Sequence, residues 1–296
     1  MSAMSTQITT AFVEQYSANV QHLAQQQGSR LRGAVTIENV VGKNAFFEQL
    51  GPTTARKRTS RHSDTPRMDT PHARRRVSLV DYDWADLVDN EDRIRMLIDP
   101  TSPYSQAAAN AMGRAIDDAI IDSADGTAYT GVDGSTSTSF DTNNVVDVQV
   151  GVTPAADTGL NVGKLRAAKE VLDANEVEDD GRYLALNAKQ LKNMLAETEV
   201  TSSDYNVVKA LVNGELNTFL GFDFIRTERI ETDTNSDHKV LFWQKKGILL
   251  GIGQNPMAKI TERDDKNYAT QVFFSMAIGA TRMEEDRVGY IECDPS

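Results

Sequence analysis

Cysteine is nearly absent from this chain of 296 residues. Cys293 is the only one, so no intrachain disulfide can form, which fits folding in a reducing compartment. Long apolar runs are missing too. None approaches the roughly 18–20 residues that a membrane-spanning helix needs, so no membrane partner is expected. The first eleven residues are polar, without an apolar stretch or an early Lys or Arg, and no signal peptide is expected there. Proline is scarce at 8 residues and glycine stands at 19, which excludes a collagen-like chain. Histidine occurs four times (His22, His62, His72, His238), and none lies in a zinc-site spacing. What is present is a globular composition, 40% hydrophobic and 25% charged, long enough for a sizeable core. The net charge of −12 argues against a protein that coats nucleic acid with its whole surface.

A search for reactive constellations is negative. Gly163-Lys164 is followed by Leu, not Ser or Thr, so no phosphate-binding loop is read there. Gly251-Ile-Gly253 lacks the third glycine of a dinucleotide fingerprint, and no G-x-S-x-G elbow exists. Asp81-Tyr-Asp83 lacks the central Gly and terminal Glu of a calcium loop. Cys293 is flanked by Glu292 and Asp294, surroundings that disfavour a thiolate. The chain is therefore read as no enzyme, with no cofactor, metal or catalytic residue assigned.

Charge is distributed unevenly. Between Ala55 and Arg76 lie Arg56, Lys57, Arg58, Arg61, Arg67, Arg74, Arg75 and Arg76, opposed only by Asp64 and Asp69. The segment carries +6 in a chain of −12, so the remainder carries −18. It contains Pro66 and Pro71 and almost no large apolar residue before Val77, which predicts a long projecting loop or hairpin, ordered by contacts with something else. An acidic run follows at once: Asp81, Asp83, Asp86, Asp89, Glu91 and Asp92. The two blocks can pair within one molecule or between copies; a solvated surface loop is the plain alternative.

Periodicity supplies the elements. Phe12, Tyr16, Val20 and Leu23 predict a short amphipathic helix near the N-terminus. The clearest helix runs from Pro103 to Asp125, with Ser102 as N-cap and Gly126 as stop. Its stripe is Tyr104, Ala107, Ala108, Ala111, Met112, Ala115, Ile116, Ala119 and Ile120, mostly small residues suited to close packing. The piece Gly131–Ser139 reads as a loop by composition. Helices are expected over Val162–Ala174, capped by Asn161, and Ala188–Glu197, capped by Asn187. Strands are expected at Tyr183–Leu186, Phe222–Arg226 and Lys239–Trp243, with two or three longer strands in Met257–Cys293. Tyr205–Val212 is ambiguous, and Gly247–Ile252 reads as strand or short helix.

The order of these parts is a polar arm, a charged excursion, one long Ala-rich helix, a mixed α/β region and closing strands. Local segments join it: Arg182-Tyr-Leu-Ala-Leu-Asn187 with Gln190-Leu-Lys-Asn-Met-Leu195, Gly214 to Ile225 with its Gly221-Phe222, Val240-Leu-Phe-Trp243 with Gly247 to Ile252, and Phe274 to Arg282 with Ile278-Gly-Ala. So does the opening Phe12-Val-Glu-Gln-Tyr16 with Gln27 to Leu31. This arrangement resembles the HK97-type major capsid protein of tailed bacteriophages over most of the chain.

The resemblance implies an α+β fold with an N-terminal arm (1–44), an E-loop (45–82), a P-domain (83–145 and 257–296) carrying a spine helix at 103–125, and an A-domain (146–256). It implies self-assembly into hexamers and pentamers of an icosahedral head around double-stranded DNA, touched only non-specifically. It leaves room for separate scaffolding, decoration and portal proteins, and places the protein in the virion after assembly in the host bacterial cytoplasm. Some members cross-link an E-loop lysine to a neighbour's asparagine; Lys57 is the only lysine in this loop, and nothing else in the sequence supports such a bond. The expected inter-subunit contacts are Arg56, Lys57, Arg58, Arg61, Arg74, Arg75 and Arg76 of the loop and Asp81, Asp83 and Asp86 of the acidic run. Three rivals stand beside it: an encapsulin-like nanocompartment shell, an α/β enzyme with dispersed catalytic residues, and an Arg-rich nucleic-acid-binding module.

Overall fold

A computed structural model describes residues 24–61, 65, 67–89, 101–151, 156–196, 217–233 and 236–295. The expected N-terminal helix around Phe12 and Tyr16, the segment Tyr205–Val212, and Glu91 and Asp92 lie outside them. The described residues fall into two compact units. The smaller holds 24–29, 81–89, 101–115 and 254–277; the larger holds 30–61, 65, 67–80, 116–151, 156–196, 217–233, 236–253 and 278–295.

The larger unit is built on a six-stranded sheet. Its strands are β7 (Val145–Val146), β8 (Arg182–Leu186), β9 (Thr218–Phe219), β10 (Phe222–Arg226), β11 (His238–Gln244) and β14 (Val288–Cys293), in the order β7-β14-β11-β8-β10-β9. β8 pairs parallel with β10 and antiparallel with β11. Two helices, α2 (Val162–Ala174) and α3 (Ala188–Ala196), supply the facing layer. Leu165, Ala168 and Leu172 of α2 and Met194 of α3 join Leu184, Leu186, Phe222, Val240, Phe242 and Ile291 of the sheet in one buried cluster. The N-caps predicted for these two helices are both made, whereas Ser102, predicted to cap the long helix, lies inside it, since that helix begins at Thr101. Asn161 Oδ1 accepts from the Lys164 N–H at 2.8 Å, and Asn187 Oδ1 accepts from the Gln190 N–H at 2.9 Å.

β11 shows why the Val240–Trp243 run is apolar at every position. Val240 and Phe242 enter the cluster under the helices, whereas Leu241 and Trp243 alternate to the other face and are also buried. Trp243 donates its indole N–H to the Ala34 carbonyl at 2.9 Å, so the chain entering from the N-terminal side closes that second face.

The long helix, α1 (Thr101–Asp125), carries an apolar row at Ala108, Met112, Ile116, Ile120, Ile121 and Ala124. The predicted stripe is only partly buried: Ala107, Ala111, Ala115 and Ala119 are half-buried. The buried face is displaced because it also takes backbone. Buried Asp117 accepts the N–H groups of Arg30 and Leu31 at 2.9 and 3.1 Å. Gly113 lets Gly28 approach: a Cβ there would stand 2.6 Å from the Gly28 Cα and 2.7 Å from the Ser29 nitrogen. At its C-terminal end the helix has acidic Asp122 and Asp125 and no base in the last turn, an unfavourable arrangement for the helix dipole. Lys239 pairs with Asp125 at 2.5 Å, and buried Arg282 donates to the Ala124 and Gly126 carbonyls at 2.9 and 2.7 Å.

A second sheet runs β1-β12-β13-β4, where β1 is Thr36–Asn39, β4 Val80–Val88, β12 Ile248–Arg263 and β13 Ala269–Arg282. The uncertain Gly247–Ile252 segment thus opens a 16-residue strand after one 3-10 turn. The third sheet is β2-β3-β5-β6: β2 (Asn44–Leu50), β3 (His72–Ser78), β5 (Ala128–Thr130) and β6 (Thr136–Thr138). Gly131–Ser139 is therefore not wholly loop. Its three β-branched and hydroxyl residues at 136–138 pair with β5, across a turn where Gly131 and Gly134 take positive φ.

Candidate functional site

The charged excursion folds as a hairpin. β2 and β3 pair antiparallel over seven positions, from Asn44 opposite Ser78 to Leu50 opposite His72. Beyond the last pair, the Gly51 N–H donates to the Pro71 carbonyl at 2.9 Å, and the chain leaves the sheet as a loop. Arg56, Lys57, Arg58 and Arg61 lie in that loop, fully on the surface, and form no ion pair among the described residues.

Strand alternation divides the Arg74-Arg75-Arg76 triplet. Arg74 and Arg76 share the outer face with Phe46, Glu48 and Leu50. Arg74 pairs with Glu48 at 2.9 Å, and the Arg76 guanidinium lies 4.5 Å from the Tyr129 ring centroid of β5. Gly134 is required beside them, since a Cβ would stand 2.7 Å from the Arg76 side chain and 2.9 Å from the Phe46 ring. Arg75 turns inward and is only 5% exposed. It donates to the Met283 carbonyl at 2.9 Å and grips Glu285 through both carboxylate oxygens at 2.7 and 2.5 Å. Of the three arginines expected at an inter-subunit surface, Arg75 is committed within its own chain.

The base of the hairpin sits in a notch. Val77 is fully buried, and its Cγ1 would stand 2.9 Å from a Cβ on Gly251 of β12. A Cβ on Gly279 of β13 would collide with the Ser78 carbonyl oxygen and stand 2.9 Å from its carbon. These are the glycines of the Gly-interrupted apolar segment and of Ile278-Gly-Ala. Their missing side chains make room for the hairpin.

Of the acidic run, Asp81, Asp83 and Asp86 lie on β4, in the smaller unit. Asp81 and Asp83 are exposed, alternating with half-buried Tyr82 and Trp84; Asp86 is half-buried on the face of those aromatics. Asp86 also accepts the N–H of Leu87 at 2.8 Å.

Reactive chemistry gathers nowhere among the described residues. No group of three or more His, Cys, Asp or Glu is placed to hold a metal ion. Among the described residues, no helix is long and apolar enough to cross a membrane. The Cys293 thiol is buried, and burial pushes its pKa up to about 12, far from the range of a nucleophile. The buried polar groups are structural. Lys164 donates to the Thr158 and Glu292 carbonyls at 2.5 and 2.9 Å, and Arg182 to Asp173 and the Val177 carbonyl at 2.6 and 2.5 Å.

The residues that sequence reasoning missed are Glu285, Gly251, Gly279 and Tyr129. Each acts through a partner distant in sequence; the period-2 alternation of 72–78 was the one signal that separated Arg75 from its neighbours.

Residues 8–295 match the family model of the phage capsid protein. Solved structures with the same fold include the capsid of the cyanophage P-SCSP1u, at 18% identity and TM-score 0.73, covering 97% of this chain and 94% of that one. The capsid of Ralstonia phage GP4 is 10% identical with TM-score 0.74 and covers 96% of both chains. The capsid of a native GTA particle is 14% identical with TM-score 0.69 and covers 99% of both. A comparison with curated protein sequences finds no match. The expected α+β, HK97-like architecture is the one observed, and the model covers nearly the whole chain. The chain belongs to the phage capsid protein family: it is a major capsid protein with the HK97-like fold, a structural subunit of a phage shell.

Proposed function

We propose that this subunit assembles into the hexamers and pentamers of an icosahedral phage head that encloses double-stranded DNA. The observation that carries the reading is the match of residues 8–295 to one capsid family. The assignment of 1–44 as arm, 45–82 as E-loop, 83–145 with 257–296 as P-domain and 146–256 as A-domain belongs to the same proposal. So do assembly in the host cytoplasm, a non-catalytic role, and service by separate scaffolding, decoration or portal proteins. The encapsulin-like reading is not favoured, because the matching family is that of phage capsids.

The contact we assign is electrostatic. Arg56, Lys57, Arg58 and Arg61 in the loop, with Arg74 and Arg76 on the outer face of the hairpin, lie against Asp81, Asp83 and Asp86 of a neighbouring copy. The support is charge complementarity: a segment of +6 in a chain whose remainder is −18. Each exposed pair contributes only about 0–1 kcal/mol. Repeated around a shell, such pairs fix register and oppose repulsion between acidic subunits.

The test is sedimentation of the expressed protein followed by negative-stain microscopy. Wild type should give uniform closed shells, alone or with a co-expressed scaffold. Arg56→Glu, Lys57→Glu, Arg58→Glu and Arg61→Glu together should leave a folded subunit that fails to close shells. Normal shells from that variant would sink the electrostatic contact, and a small oligomer with enzymatic turnover would sink the capsid reading.

A further inference from the structure

The hairpin has little apolar material of its own. Its inner face presents Ala45, Phe47 and Gln49 on β2 and Ala73, Arg75 and Val77 on β3, and only Arg75 and Val77 are buried. Val77 secures the base. Farther out, both strands reach a single turn, the 3-10 segment Glu285–Arg287 between β13 and β14, together with the residues just before it. Gln49 donates its side-chain N–H to the Met283 carbonyl, and Arg75 donates to the same oxygen at 2.9 Å. Arg75 then closes on the Glu285 carboxylate.

Glu285 has a second cation. Arg282, fully buried, stands with its Nε 3.5 Å from Glu285 Oε1. Arg282 Nη1 is occupied at the end of α1, on the Ala124 and Gly126 carbonyls, and Nη2 donates to the Thr138 carbonyl of β6 at 3.4 Å, with the Phe140 ring centroid 5.3 Å from the guanidinium. The turn itself is held by Asn144, which donates to the Glu285 carbonyl at 2.7 Å and to the Val288 carbonyl at 3.3 Å. One carboxylate therefore sits between an arginine that caps the long helix and an arginine that carries the hairpin. Arg75 Nη1 and Arg282 Nε are buried and make no hydrogen bond among the described residues, and Glu285 is the one carboxylate that ion-pairs with both arginines there. Without it, two guanidinium groups share a buried site with no direct ion pair among the described residues, and the group free to leave is the one on the hairpin.

We propose that Glu285 is the positioning residue of the charged hairpin, clamping Arg75 to the Arg282-capped end of α1 and so fixing the direction in which the basic loop is presented to a neighbouring subunit. The last clause rests on the proposed inter-subunit contact; the clamp does not.

Hydrogen–deuterium exchange on the unassembled full-length subunit tests the clamp, and microscopy of assembled material tests its use. In Glu285→Ala, amides of 44–50 and 72–78 should exchange at least tenfold faster, while those of 182–186 and 238–244 keep the wild-type rate. Arg75→Met should loosen the same strands, and Arg75→Met with Glu285→Ala should exchange no faster than Arg75→Met alone, because the hairpin then carries no cation for the lost carboxylate to strand, while Arg282 stays held on the α1 carbonyls. Glu285→Asp keeps the carboxylate and should restore protection to within threefold of wild type. Unchanged hairpin exchange in Glu285→Ala, equal acceleration in the six-stranded sheet, or additive effects in the double variant would overturn the clamp. A loosened hairpin with normal shells would uphold the clamp and overturn the contact reading.

Discussion

The six-stranded sheet and the hairpin sheet lie in the same unit and are held by opposite means. The first buries a contiguous cluster of Leu, Val, Phe and Ile side chains beneath α2 and α3, with Trp243 sealing its other face. Its stability scales with area removed from water, at roughly 25 cal/mol per Å². The hairpin sheet keeps Phe46, Leu50, Tyr129 and Val132 exposed and is anchored by one valine in a glycine notch and one carboxylate between two arginines. Burial is non-directional, so the first sheet tolerates small shifts. The hairpin is held by directed bonds, which set an angle more than they supply stability. On the proposed inter-subunit contact, the first supplies the stability of the subunit and the second the direction of the basic loop.

Four changes break or sharpen this contrast. The largest effect is expected in the body. Phe242→Ala removes a fully buried ring packed edge-on to Phe222 at 6.4 Å and should destabilise the subunit by about 3–5 kcal/mol in chemical denaturation. The hairpin amides should lose protection only in step with global unfolding. Gly279→Ala should come next, at about 1–3 kcal/mol, because its methyl group meets the Ser78 backbone and not a flexible side chain. Here the local exchange of 72–78 should rise more than that of 238–244; the reverse order would contradict the notch.

Splitting the arginine triplet comes third. Arg74→Glu with Arg76→Glu alters the outer face and should leave the melting temperature within a few degrees of wild type, in line with the small worth of exposed pairs. Arg75→Glu faces Glu285 across a buried site and should melt clearly lower. Equal melting of the two variants would mean that the alternation has no energetic consequence.

The smallest effect is a pH dependence at Glu178, where bonds from Lys246 and then Arg287 lower the carboxyl pKa below its ordinary 4.5. A depressed folded pKa means stability that is present above 4.5 and lost as pH falls through the folded value. Glu178→Gln should therefore melt slightly below wild type at pH 6, and the gap should close on acidification. Because Glu178 is half exposed, the gap at pH 6 should stay below about 1 kcal/mol. A gap that widens with acid would reverse the assignment.

Much of the body was legible in the sequence. Asn161 and Asn187 announce their helices by capping chemistry that acts within three residues, and both caps form as read. Phe222–Arg226 and Val240–Trp243 are strands because β-branched and aromatic side chains suit a pleat buried on one or both faces. The charged segment was legible as an exposed loop or hairpin, because it lacks the apolar residues to build a core. The errors have one source. Gly131–Ser139 reads as loop because nothing in its own composition calls for β6; the pairing of β5 with β3 supplies the template. The Ala-rich stripe of α1 reads as its buried face because the helix pattern cannot reveal that residues 28–31 lie along it, with Asp117 taking their N–H groups. The three adjacent arginines read as equivalent until the register of β2 on β3 is known.

The sequence by itself therefore determined the caps, the periods, the charge asymmetry and the order of parts, since these depend on neighbours within one or two turns. Only the tertiary structure decided which arginine turns inward, why positions 251 and 279 carry no side chain, and where Glu285 stands. These are contacts between residues about 170–210 positions apart, and no local preference encodes a partner at that distance.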